Sequence, residues 1–334
     1  MSRPRTRRLA LTAAVITTGV SLTACGDSSK DGANTPTASA SSTTAPKGVV
    51  TTETAKRLVD AYEKVNNQAN KTRNAKLLST VESGQLHELS KAEYKEWLSW
   101  SAKDQKEYGT AFYYRQRKYL IPPADKATWF AVKATSTYDA KYQTLLIFDK
   151  VGSIYKMVFS AYTEGKLPEV SLDRDGHATV ADASTKVGTL APDQLGAAYE
   201  DFFETGGKKK GTAFAPTESS KESTKIYQDR NSVNGRWADK TFFAADPTFT
   251  KAYALKLTSG DVLAVFPTAH TSEQILKPAY RSSFLITPAD EEAVYNAQRR
   301  VVVTDEFQGQ ALAELSTAKK ARVLGIRYRM VDSR

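Results

Sequence analysis

Helical spacing and strand spacing occur along this chain in blocks, and the order of the blocks restricts the fold it can adopt. Leu58, Tyr62 and Val65 stand at i, i+4 and i+7 of a helix that begins near Thr52. Ser90-Lys91-Ala92-Glu93 reads as a capping box that opens a second helix bearing Tyr94, Trp97 and Leu98. Four strand candidates follow, 111–120, 128–137, 143–149 and 153–162, joined by turn residues such as Pro122-Pro123 and Gly152. A helix after Pro192 carries Leu195, Tyr199, Phe202 and Phe203 and stops at Gly206-Gly207. Strand candidates then return at 241–245, 251–258, 262–268, 280–286, 300–315 and 321–331. In the last of these, Leu324, Ile326, Tyr328 and Met330 fall on one face and Arg327 and Arg329 on the other. Helices grouped before tightly connected strands give α+β with antiparallel sheets, not α/β.

Three local matches suggest that this order is repeated. Leu58-x-x-Ala61-Tyr62-Glu63 parallels Leu195-x-x-Ala198-Tyr199-Glu200. Phe130–Ser136 parallels Tyr253–Ser259, and Leu145–Phe148 parallels Leu263–Phe266. Their offsets of 137, 123 and 118 residues drift as loop deletions would make them. The division places one domain at 49–166, a connector at 167–185 and a second domain at 186–334. Helices followed by a long bent antiparallel sheet resemble the NTF2-like (cystatin-like cone) architecture, a resemblance carried by element order in both halves. It implies two tandem NTF2-like domains, each with N-terminal helices packed on its own bent sheet.

The N-terminus reads as a targeting segment. Residues 1–8 hold four arginines and no acid, and residues 9–24 are uncharged and mostly apolar. That run is shorter than the ~20 residues that span a bilayer. It ends in Leu22-Thr23-Ala24-Cys25, which resembles a bacterial lipobox. The resemblance implies a lipoprotein signal peptide over 1–24, cleavage after Ala24, and lipidation of Cys25 by a diacylglyceryl group, whose two acyl chains, such as palmitate, form the anchor. The protein would then sit lipid-anchored on the extracytoplasmic face of the bacterial cell membrane. Residues 25–48 are rich in Ser, Thr, Ala and Gly without an aromatic residue, the composition of a disordered tether. Together with Leu167-Pro168-Glu169-Val170-Ser171-Leu172-Asp173-Arg174-Asp175-Gly176, these features resemble secreted actinobacterial lipoproteins of unknown function. Cys25 is the only cysteine, so an intrachain disulfide is excluded, and its lipidation would exclude thiol catalysis. The formal charge of +10 falls to +6 once the four leader arginines are removed, leaving 43 basic against 37 acidic residues. The compartment excludes nucleic acid as a partner.

No GxGxxG, GxxxxGK[ST], GxSxG or HExxH occurs. His270, just past strand candidate 262–268, is the one residue placed to line a cone mouth, with Asp246 and Asp305 as conceivable partners. His87 and His177 read as surface residues. Asp173-Arg174-Asp175-Gly176 has its glycine too early for a calcium loop and reads as a reverse turn. Lys208-Lys209-Lys210 between glycines reads as a flexible basic loop able to touch anionic lipid. Tyr113, Tyr114, Tyr119, Tyr138 and Tyr142 would suit protein or glycan binding on an exposed sheet face, or core packing if buried. No cofactor, metal ligand set or catalytic residue emerges. The sequence favours a membrane-anchored, non-enzymatic binding module of the cell envelope, partnered by an envelope protein or glycan. The alternatives are a substrate-binding lipoprotein of an ABC importer, which needs parallel βα units, and a small-molecule enzyme on an NTF2-like cone.

Overall fold

The computed structural model describes residues 47–137 and 140–334. Cys25, the leader, all but the last two residues of the tether, and Tyr138 lie outside the described residues. The first helices are α1 (Thr52–Thr72), α2 (Ala75–Leu78), α3 (Gly84–Glu96) and α4 (Ala102–Tyr108). They precede β1 (Tyr114–Leu120), β2 (Trp129–Ser136), β3 (Tyr142–Val151) and β4 (Ile154–Glu164), which pair antiparallel in sequence order. Next come α5 (Leu195–Tyr199), α6 (Asp201–Glu204) and α7 (Glu218–Gln228). The remaining elements are β5 (Ala238–Ala244), β6 (Tyr253–Lys256), β7 (Val262–Leu276), α8 (Asp290–Ala293), β8 (Val302–Leu315) and β9 (Arg322–Ser333). The second sheet is also antiparallel, ordered β5-β7-β8-β9, with β6 paired to the first part of β7. The fold is α+β.

The core explains why the strands read as apolar runs. In β2 and β3, Phe130, Val132, Leu146 and Phe148 pack under α1 with Ala55, Val59 and Tyr62. The alternate residues Trp129, Ala131, Leu145 and Ile147 face the second sheet and meet Tyr253, Leu255, Leu263, Val265 and Leu312. The far face of the second sheet, with Ala264, Phe266, Ala311 and Leu315, packs under α5 and α6. The layers run helix, sheet, sheet, helix, so both faces of the central strands are buried. Each half has a helix-side core of its own, and the two sheets share a further one between them. Residues 167–180 are built into it as well: Leu167, Val170 and Ala178 are buried, and Val170 and Val180 pair with Leu257 and Leu255.

Several local expectations need correction. The buried stripe of α1 runs through Ala55, Val59, Tyr62, Asn66 and Ala69, which leaves Leu58 and Val65 half-buried at its margin. Ser90 does not start a helix. α3 begins six residues earlier and carries Ser90 buried in its middle, while Leu98 is 70% exposed. Residues 280–286 form turns after Pro278, and only Ile286 makes a bridge, to Arg300. A bulge between Leu312 and Ala313 lets β9 change phase, so Leu324 faces the shared core while Ile326 and Tyr328 face the helices. α7, which the sequence reading passes over, is a polar helix capped by Thr217.

The sheets touch directly where β4 crosses β9. A Cβ at Gly325 would lie 1.9 Å from the Tyr162 carbonyl oxygen, so only glycine permits this approach. Nearby, β4 is an edge strand whose backbone is satisfied by a side chain from the other sheet. Gln310 Oε1 accepts from Ser160 N at 3.0 Å, and its Nε2 donates to Val158 O at 3.3 Å.

Candidate functional site

His270 lies within β7, because that strand continues to Leu276 instead of ending at residue 268. Its partner is neither of the aspartates considered from sequence. Asp246 is exposed, and Asp305 accepts from Ser272 Oγ at 3.1 Å with Lys240 Nζ at 3.8 Å. Instead His270 Nδ1 stands 3.1 Å from Glu200 Oε2, and both residues are buried. Burial raises the Glu200 carboxyl pKa, against the opposite pull of His270 and the Ala269 amide. Phe203 and Phe307 stack on the imidazole, with centroids 4.0 and 4.7 Å away. With aromatic rings stacked on it, the imidazole has no open face to offer a substrate. Glu200 ends the repeated Leu-x-x-Ala-Tyr-Glu unit, and its counterpart Glu63 is also buried, held by Arg117 Nη2 and Tyr114 N at 2.6 Å each. A charged residue at the same place in both apolar matches was the available signal, and the sequence reading did not use it.

A second polar group lies along α3. Tyr62 donates to Glu82 Oε1 at 2.7 Å and accepts from Asn66 Nδ2 at 2.8 Å. His87 is not a surface residue: its side chain is mostly buried, with Nδ1 3.9 Å from Glu82 Oε2. Nearly two turns on, Glu93 binds Arg327 Nη2 at 2.7 Å and Arg329 Nη2 at 3.0 Å, clamping α3 to β9. Burial opposes ionisation of Glu93, but the two guanidinium groups outweigh it and hold the carboxyl at about 2. Apart from the Tyr62–Asn66 bond within α1, these pairs join one segment to another, and the chemistry is that of a seam.

Open space lies elsewhere, in a groove of about 440 Å³ between α6 and α7. Phe202, Phe214 and Pro216 make it apolar, and Ser220, Thr224 and Gln228 of α7 add polar groups. α7 is fixed beside it because Tyr199 OH lies 2.9 Å from Ser223 Oγ and donates to Ser219 O at 3.0 Å. Lys221 also lines the groove, which presents no acid–base pair. The adjoining Lys208–Lys210 turn is not a loose loop. It is wound about the Asp201 carboxylate, which accepts from Lys209 N at 2.7 Å, Gly211 N at 2.9 Å and Thr205 Oγ1 at 2.6 Å.

The other motifs resolve simply. Asp173 Oδ1 accepts from the Asp175 and His177 amides at 2.9 and 2.8 Å, and Gly176 has φ 83°, the reverse turn expected. His177 is mostly buried beside that turn and not a surface residue. The tyrosines do not form a face: Tyr114 is buried under α1, Tyr119 and Tyr142 are half-buried, and Tyr113 is exposed. Among the described residues no group of His, Cys, Asp and Glu could hold a metal ion, and no helix is long and apolar enough to cross a membrane.

The chain is 32% identical over 298 residues to an uncharacterised lipoprotein of Streptomyces coelicolor, covering 86% of this chain and 83% of that protein. No solved structure matches it. The profile of a family described as a domain of unknown function, DUF8094, matches residues 46–334, and the chain belongs to that family.

Proposed function

We propose that the protein is a lipid-anchored, non-enzymatic binding module on the extracytoplasmic face of the cell membrane, attached through Cys25. The groove between α6 and α7 carries this reading: its lining is apolar with a few hydroxyl and amide groups placed around it. The relative's description as a lipoprotein supports the anchor. We read the two halves as tandem NTF2-like units that share one core. The repeated Tyr62 and Tyr199, each buried on a helix that packs against its own half's sheet, support this. An importer's substrate-binding protein would need parallel βα units, whereas both described sheets are antiparallel. The partner is an envelope protein or glycan. The test is a photo-crosslinker placed at Thr224 in the groove, or at Arg57 on the far helix layer, in intact cells. A discrete adduct from Thr224 alone is expected. Identical patterns from both positions would refute the groove as the binding site.

A further inference from the structure

Three turns far apart in sequence meet at one end of the second sheet. The Lys208–Lys210 turn runs into residues 213–215, which bond to the turn between β8 and β9. Ala321 N donates to Ala213 O at 3.1 Å and Ala215 N to Ala321 O at 2.8 Å. That turn carries Lys319 and Lys320. The turn closed by Val187 N donating to Leu190 O lies against it, since a Cβ at Gly188 would stand 2.5 Å from the Ser316 carbonyl oxygen. It brings Lys186. The result is a tip of exposed lysines, Lys186, Lys208, Lys209, Lys210, Lys319 and Lys320. Carboxylates also lie beside these turns, with Glu204 at the end of α6 and Asp193 both exposed. Asp201 is occupied by the amides of its own turn, Glu314 by Arg322 at 2.6 Å, and Asp182 by Ser184 and Thr185. The six lysines outnumber the carboxylates of their own turns, so the tip is net basic, and its turns are held by hydrogen bonds, so binding would cost little loop entropy.

We propose that this tip docks the folded region onto anionic lipid headgroups of the membrane that holds the anchor, an inference that rests on the anchored reading above. Charge complementarity is the first argument. The second is where the outer chain enters. Gly48 pairs with Pro123, and the adjoining Ile121 carbonyl accepts from Ala178 N. From there the connector reaches Leu255, paired through Val180. Leu255 lies in the sheet row Leu255, Leu263, Glu314, Arg322, beside the turn that carries Lys319 and Lys320. Tether entry and lysine tip are thus joined by a continuous run of backbone pairs toward the same end of the second sheet.

The test uses the full protein purified from membranes with Thr317→Cys labelled by an environment-sensitive fluorophore. It is reconstituted into vesicles of phosphatidylcholine alone, or with about one third phosphatidylglycerol. One label per chain is expected, because lipid occupies Cys25. The fluorescence should shift in anionic vesicles only and return to the neutral-vesicle value in about 0.5 M salt. Lys208→Gln, Lys209→Gln and Lys210→Gln together should lower the docked-to-undocked ratio about a hundredfold, at roughly fivefold per lysine. Two labels per chain would overturn the anchored reading, and the choice of occupant with it. One label and equal fluorescence in both vesicles would overturn the docking alone. A shift produced only by a soluble polyanion would assign the tip to an anionic polymer and likewise overturn it.

Discussion

Replacing Glu96 by glutamine should stabilise the protein above neutral pH and change it much less in mild acid. Glu96 lies at the end of α3, 7% exposed, with Arg329 Nε 3.8 Å from its Oε2. Burial is the largest influence and raises its pKa. Arg329 pulls it down and Glu93 pushes it up again, leaving it at about 7 against an ordinary 4.5. The folded protein therefore keeps this proton up to about pH 7, whereas the unfolded chain releases it near pH 4.5. Between those values the folded state binds more protons, so stability falls as pH rises. At ~1.36 kcal/mol per pH unit the accumulated loss is about 3 kcal/mol. Glutamine keeps the shape and cannot titrate, so Glu96→Gln should recover about 3 kcal/mol at about pH 8 and less than about 1 kcal/mol at about pH 5. Urea unfolding of both proteins at the two pH values measures this. An equal effect at both, or a loss at the higher pH, would refute the reasoning.

The remaining expectations concern the seam, the shared core and the anchor. Gly325→Ala places a methyl group against the backbone of Tyr162, so about 1–3 kcal/mol or more should be lost in urea melts; an unchanged midpoint would mean β4 and β9 are not pressed together. Leu312→Ala empties a fully buried place between the sheets, and about 2–5 kcal/mol should be lost. Amide exchange should then quicken in β2 as well as in β7, and a change confined to the second half would argue for separate cores. Cys25→Ser should move the protein from the membrane pellet to the soluble fraction, and its retention in the pellet would end the lipoprotein reading.

Much of the fold was legible because strand identity is a local property. The apolar runs at 129–134 and 262–266 and the turns around them locate β2 and β7 closely. What those runs face is not local. Phe130 and Ala131 are equally buried, one under a helix and the other against a second sheet, and nothing in their spacing separates the two partners. The same limit governed the sites. His270 invited an aspartate by analogy, but its carboxylate comes from Glu200 at the junction of α5 and α6, seventy residues earlier in sequence. Ser90 and Glu93 fit a capping box only by spacing, since Glu93 is committed to arginines on the last strand. The three lysine turns could be seen singly, while their convergence depends on backbone pairing across more than a hundred residues.

The clip that closes the N-terminal end has a mechanical meaning. Val49 N donates to Pro122 O and Ala124 N to Lys47 O, both at 2.9 Å, fastening the incoming chain to the turn between β1 and β2. Gly48 between them has no room for a side chain, since a Cβ would lie 2.9 Å from Ile121 Cγ2. Traction on the N-terminus therefore meets these two bonds before it reaches β1, which has β2 as its one neighbour in the sheet. Under a pull the clip opens first and lets out a few residues of slack. On the anchored reading proposed above, it would act as a strain relief that protects the edge of the first sheet.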